Sequence, residues 1–321
     1  MVQVNYFYRP KGLAFSIERV FADVRSALGD EVEQSDYFLP YDRPGTPHRF
    51  VGNLRAARQV AGPGINHITG DCYYLGLVLP RRGLVITIHD AGHVQTLKGV
   101  KSWLFRRLWF GWPSARARAL TFISHYSQRE LEETLGRRLP HGRVISDPVS
   151  PAFSFQPKPF PPGRARILAL GTKEGKNLKR VCAALDGRDD VELRLIGRPP
   201  PDVLEAMQQH CKHCSYAARL SDAEIVEEYR AADIVSLVST YEGFGLPIVE
   251  GQATGRPVIT ANACSMPEVA GEAAVIVDPT SVEAIRDGFH RLLTDATLRE
   301  GLISRGLENV KRFSAAAVAR Q

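Results

Sequence analysis

From Arg166 onward the chain alternates short apolar runs with helix-length segments, a rhythm that few folds accept. The spacing predicts strands over 166–170, 191–196, 234–238, 258–261 and 274–277, with helices over 176–185, 202–210, 222–231, 246–254 and 281–293. Strands separated by helices assemble into parallel sheets covered on both faces, so this half reads as a doubly wound α/β domain.

The first half carries the same signature in weaker form. An apolar run over 2–8 is followed by a turn at Pro10-Lys11-Gly12 and a helical pattern with Ile17, Val20, Phe21 and Val24. Further apolar runs over 84–88, 120–124 and 143–146 are separated by helix-length segments. A chain of 321 residues exceeds the usual size of one core, which favours two domains. The prolines at 148, 151, 157, 159, 161 and 162 mark the join. The expected layout is a domain over 1–150, a linker over 151–165, a second domain over 166–305, and over 306–321 the start of a C-terminal helix that ends short.

No stretch reaches the roughly 20 apolar residues needed to span a bilayer, and the N-terminus has no signal-like pattern, so a cytoplasmic location is expected. Five scattered cysteines do not form a staple framework. The cluster His210-Cys211-Lys212-His213-Cys214 lacks the second ligand pair of a zinc site and reads better as a solvated helix end. No metal and no cofactor are expected. The net charge of +6 points to an anionic partner. It concentrates between Lys98 and Arg143, where ten cations (Lys98, Lys101, Arg106, Arg107, Arg116, Arg118, Arg129, Arg137, Arg138 and Arg143) face only Glu130, Glu132 and Glu133.

The densest chemistry lies in STYEGFGLPIVEGQATGRPVITA, residues 239–261. Gly243 and Gly245 allow close approach of a ligand, Pro247 suits a first helical turn, and Gly255 with Pro257 ends the helix. The amides of that first turn and the positive end of the helix dipole form a phosphate site. Glu242 in the loop and Glu250 about one turn into the helix would be repelled by phosphate and suit sugar and ribose hydroxyls.

With its glutamate, seven residues and glutamate, this segment resembles family 4 of the retaining glycosyltransferases. The resemblance extends to GTKEGKNL (171–178), to the run leading into Glu242, and to MPEVAGEAAVIVDP (266–279). It implies the GT-B fold, an α/β architecture of two Rossmann-like doubly wound domains facing each other across a cleft, acceptor on the first and nucleotide sugar on the second. It further implies that Glu242 contacts the transferred sugar, that Glu250 holds the ribose, and that Gly243, Phe244, Gly245 and Leu246 meet the sugar and diphosphate through their backbone. Lys176 becomes the cation that stabilises the leaving group, with Gly171, Thr172, Lys173 and Asn177 beside the donor. The family's usual arginine after the glycine is replaced here by Thr172, and Lys173 offers only a point charge in its place.

In the first half, His89-Asp90 closes an apolar strand and looks like the family's His-Asp, which places His89 beside the donor sugar and the reacting bond. Gly12 matches the family's glycine-rich loop near the donor phosphates. Lys11, His67, Thr69, Asp71 and Asp90 are candidates for the acceptor wall, although a polar turn accounts equally well for His67, Thr69 and Asp71. The segment 98–118 mixes arginine with tryptophan and phenylalanine. It fits either a helix lying on an anionic membrane or a core-facing helix with arginines on its wet side. No recognition motif for nucleic acid is present.

The implied activity is retaining, metal-independent transfer of a sugar from a UDP- or GDP-sugar to a hydroxyl of a glycan or lipid-linked acceptor, in surface polysaccharide assembly. The alternatives are a nucleotide-sugar epimerase or hydrolase of the same fold, and a non-catalytic sugar-nucleotide-binding subunit.

Overall fold

The computed structural model describes residues 1–11, 16–29, 32–42, 46–92 and 99–321. It divides into two compact units, one formed by Met1–Pro148 with Ala315–Gln321 and the other by Val149–Ser314. The first contains β1 (Val2–Tyr8), β2 (Val32–Phe38), β3 (Ile65–Ile68), β4 (Leu84–Ile88), β5 (Ala119–Phe122) and β6 (Gly142–Val144). These pair in parallel in the order β2-β1-β3-β4-β5-β6. The chain reverses its direction of travel across the sheet between β1 and β3.

The second unit contains β7 (Ala165–Leu170), β8 (Val191–Ile196), β9 (Cys214–Ala217), β10 (Ile234–Leu237), β11 (Val258–Ala261) and β12 (Val275–Val277). Their parallel order is β12-β11-β10-β7-β8-β9, with the reversal between β7 and β10. Every residue of β10 and β11 is buried, as expected of strands covered on both faces. The helix Leu246–Thr254 is correspondingly buried almost all round, with Ile248 and Val249 wholly enclosed.

Three strands are absent from the sequence reading. β2 carries Glu33, Gln34, Ser35 and Asp36 at a sheet edge, β3 and β9 have only four residues each, and none shows a sustained alternation. The residues read as a helix end at 210–214 run into β9.

The proline-rich stretch is not a free linker. Phe153 packs edge-on against Tyr229 at 5.0 Å, Lys158 bonds Asp233 at 2.6 Å, and Arg299 lies over the Phe160 ring at 3.8 Å, so these residues are tethered to the second unit. The final helix, Ala315–Ala319, packs instead against Ser16–Leu28 of the first unit.

Candidate functional site

In a doubly wound sheet, the loops leaving the carboxyl ends of the strands part at the reversal point and open a crevice there. In the second unit those loops follow β7 and β10. The first carries Gly171 to Asn177, the second Ser239 to Gly245 ahead of the helix Leu246–Thr254.

The two loops meet through a charged pair. Lys176 Nζ donates to Glu242 Oε1 at 2.7 Å, and Ser239 Oγ donates to the same oxygen at 2.7 Å. Both side chains of the pair are about one-fifth exposed, at 19% and 17%. Among the described residues Glu242 Oε2 takes no partner, and an ammonium keeps two further protons beyond the one given to Glu242. The pair is therefore held in place with valences left for a ligand.

Gly171 is what lets Lys176 lie there. Its φ is +82°, and a Cβ at this position would stand 2.8 Å from Lys176 Cε. Lys176 itself sits in a tight turn, Glu174–Lys176, and not in the helix, which begins at Leu178. Asn177, at φ +58°, joins turn to helix. Its side chain is buried and fully committed: Nδ2 donates to the carbonyls of Val238 (3.0 Å) and Pro279 (2.7 Å), and Oδ1 accepts from Arg180 at 2.9 Å. Asn177 thus ties the loops together from below. The amide of Thr240, donating to Gly175 O at 2.8 Å, adds a second tie. Thr172 is half-buried, with its methyl so near Gly197 that a Cβ there would come within 2.8 Å; Lys173 is exposed.

The glycine loop is fixed by a residue the sequence reading passed over. Ser265 is fully buried, and its Oγ lies 2.9 Å from the carbonyl of Glu242 and 2.8 Å from that of Phe244. Gly245 caps the helix at φ +102°, a left-handed conformation that suits a residue without Cβ. No side chain caps this helix; Pro247 has no N–H and the Ile248 amide donates to Gly245 O at 2.9 Å, so the first turn leaves the Leu246 amide for a ligand. Phe244 is buried edge-on against Phe313 at 5.5 Å, which leaves only its backbone for a ligand.

Glu250 departs from the expected open carboxylate. It is only 3% exposed and accepts a hydrogen bond from the phenol of the wholly buried Tyr229 at 2.5 Å. Tyr229 reads in sequence as an apolar helix residue, and nothing in its spacing marks this role. Ser239 and Ser265 are likewise invisible there, since a serine after a strand or before a helix is common.

In the first unit the expected residues are mostly spent on the fold. His89 Nε2 lies 2.7 Å from the carbonyl of Thr69, and Nδ1 faces Asp147 at 4.0 Å. Burial holds the Asp147 carboxyl above its ordinary range, with His89 acting in the opposite direction. His67, expected in an acceptor wall, is a residue of the first sheet. It stands within β3, its ring 5.2 Å from Phe21 and 5.5 Å from Tyr6, and its Nε2 bonds Thr87 at 2.7 Å. Burial, and then the neighbouring His89, push its pKa down to about 3. Thr69 is buried and donates to Phe7 O at 2.9 Å. Asp71 is paired with Arg9 at 3.7 Å, and Arg9 also bonds Glu18 at 3.3 Å. Asp90 accepts from the amide of Gly92, and Lys11 lies over the Phe38 ring at 4.7 Å. Gly12 lies outside the described residues.

Among the described residues no three metal-ligating side chains converge. Asp189 pairs with Lys212 and Asp190 with Arg188, each carboxyl held below its ordinary range by that hydrogen bond.

The fold defines a two-domain α/β protein of the GT-B class, with the Lys176–Glu242 pair at the reversal of its second sheet. The crystal structure of Anabaena Alr3699/HepE in complex with UDP and glucose matches with a TM-score of 0.79 over 100% of this chain and 98% of that one, at 14% identity. Residues 152–309 match the family model for glycosyl transferases group 1. The second unit carries that family's domain, since the model covers almost the whole of it. The O-antigen chain mannosyltransferase B of Escherichia coli is 40% identical over 99 residues, which are 31% of this chain and only 26% of that protein. The MMP alpha-(1->4)-mannosyltransferase of Mycolicibacterium hassiacum is 29% identical over 86% of this chain and 74% of its own length.

Proposed function

We propose that this protein transfers a sugar from a UDP- or GDP-sugar to a hydroxyl of a glycan or lipid-linked acceptor, with retention at the anomeric carbon and without a metal. The proposed setting is surface polysaccharide assembly at the inner face of the membrane. The observation that carries the reading is the Lys176–Glu242 pair at the reversal of the second sheet, fixed by Ser239 and Gly171 yet keeping Glu242 Oε2 and ammonium protons for a ligand. Support comes also from relatives named as mannosyltransferases and from a fold neighbour whose title records UDP and glucose.

When the bond between the anomeric carbon and the diphosphate oxygen breaks, its electron pair stays with the diphosphate. Lys176 and the Leu246 amide at the start of Leu246–Thr254 would meet that charge, a preorganised electrostatic contribution. Glu242 Oε2 would hold a sugar hydroxyl, and Glu250, kept in one orientation by Tyr229, the ribose.

One observation favours a second reading, a sugar-nucleotide-binding subunit without turnover. Thr172 stands where the resemblance leads one to expect an arginine, and Lys173 is exposed. The purified chain, given UDP- and GDP-sugars and candidate acceptors in the presence of EDTA, is expected to release nucleoside diphosphate only with acceptor present. Tight donor binding with no release under any condition would favour the non-catalytic reading. Release without acceptor would favour a hydrolase, and dependence on added divalent ion would overturn the metal-independent mechanism.

A further inference from the structure

The basic, aromatic stretch of the first unit admits two readings in sequence, and the structure separates them. Residues 99–116 form one continuous helical run: an α-helix Gly99–Phe105, a π-helical turn Arg106–Gly111 and an α-helix Trp112–Arg116. One side of it faces the core. Ser102 and Phe110 are buried, and Trp109 stacks against Phe105 at 4.9 Å and packs on Tyr74 at 4.6 Å.

The other side is apolar as well, and it faces solvent. Val100 is 81% exposed, Trp103 53%, Leu104 45% and Trp112 46%. The spacing 100, 103, 104, 107 is one face of an α-helix. At α-helical spacing the next position would be Gly111, which is buried; the π turn inserts one residue and brings Trp112 outward five after Arg107. Exposed tryptophan and leucine on a helix flank are costly in water unless something covers them.

The charges around this stripe identify what covers it. Arg107 is exposed and its guanidinium lies 5.5 Å from the Trp103 ring. Arg137 is tied to the same helix by a 3.1 Å bond to Gly111 O, and it shares a surface depression with Arg129 and Arg138, all three exposed. The acids within that depression are Glu132, already bonded to Arg138 and to the Leu139 amide, and Glu133. Indole and leucine beside guanidinium groups match the boundary between acyl chains and anionic headgroups. We infer that this stripe, Val100, Trp103, Leu104 and Trp112 flanked by Arg107 and Arg137, docks the protein on an anionic lipid bilayer. The inference adds a surface to the proposed membrane setting, but its geometry owes nothing to the donor site.

Co-sedimentation of the full chain with vesicles tests it: pure phosphatidylcholine, and phosphatidylcholine with 30% phosphatidylglycerol, each at about 0.15 M salt where surface attraction still acts. The protein is expected to partition onto the anionic vesicles only, with tryptophan emission shifted to the blue. Trp103→Ser with Leu104→Ser, and separately Arg107→Glu with Arg137→Glu, should each lower the partition coefficient roughly tenfold or more. All four substitutions alter exposed side chains, and unchanged circular dichroism and nucleotide binding would confirm that the fold is intact. Equal binding to neutral vesicles, binding unaffected by both double variants, or concentration-dependent self-association that Trp103→Ser abolishes would each overturn the inference. A failed sugar-transfer assay would leave this result unaffected, so the two proposals fail separately.

Discussion

The two sheets reverse direction at equivalent places, and among the described residues they spend their side chains differently there. At the β7/β10 reversal, Lys176 and Glu242 satisfy each other with one bond each and keep further valences, while Asn177 and Ser265 absorb backbone carbonyls and Ser239 donates to the Glu242 carboxylate. At the β1/β3 reversal, Arg9 is consumed by Glu18 and Asp71, and Thr69 by Phe7. His89, one strand further along, bonds Thr69 O through Nε2, with Nδ1 4.0 Å from Asp147. A crevice at a sheet reversal follows from topology, but a binding site needs side chains that the fold holds without using up.

The most damaging change to the second crevice should be Lys176→Ala. Removing the cation opposite the departing diphosphate is expected to lower kcat by about 10²–10³. A steady-state assay that found KM raised and kcat intact would recast Lys176 as a ground-state binder. Tyr229→Phe comes next. It removes a hydrogen bond from the buried Glu250 side chain, a loss of about 1–3 kcal/mol, readable as weaker nucleotide binding by calorimetry or as a lower denaturation midpoint.

Gly171→Ala should cost about 1–2 kcal/mol for a left-handed alanine, and the new methyl must also displace Lys176. Stability and kcat should therefore fall together, whereas Gly187→Ala, also left-handed but with nothing within 4 Å, should lower stability alone. The remaining test belongs to the first unit and reads a pH dependence. His67 is neutral when folded down to about pH 3 and protonates near 6.5 when unfolded, so the unfolded chain binds more protons between those values. Its contribution to stability is complete above pH 6.5 and declines as pH falls, by up to about 1.4 kcal/mol per pH unit. Denaturant titrations at pH 7 and 4.5 should show His67→Gln losing less stability on acidification than the wild type; an equal loss would mean that His67 is already accessible to protons.

The second unit was legible because each of its signals repeats at several scales. The strands 191–196 and 258–261 and the helix 246–254 stand where apolar runs and Gly/Pro punctuation put them. The polar strand β2 and the four-residue β3 were not legible, because an edge strand or a very short one carries too few side chains to set a period. The site followed the same rule. Glu242, Lys176 and the glycine loop were readable as residue types in an order, whereas Ser265, Ser239 and Tyr229 act through contacts made across 21 to 23 residues, or by the side chain's final direction, which no local pattern encodes. The burial of Glu250 was hidden for the same reason: helical spacing gives its position along the helix but not what covers it.

Hydrogen–deuterium exchange on the full chain, with and without UDP and GDP, tests the central claim most directly. If the second crevice is the nucleotide site, one of the two nucleotides will slow exchange in 171–178 and 243–250 and leave β1 to β3 unchanged. Protection confined to the first unit, or absent from both loops at saturating nucleotide, would contradict it.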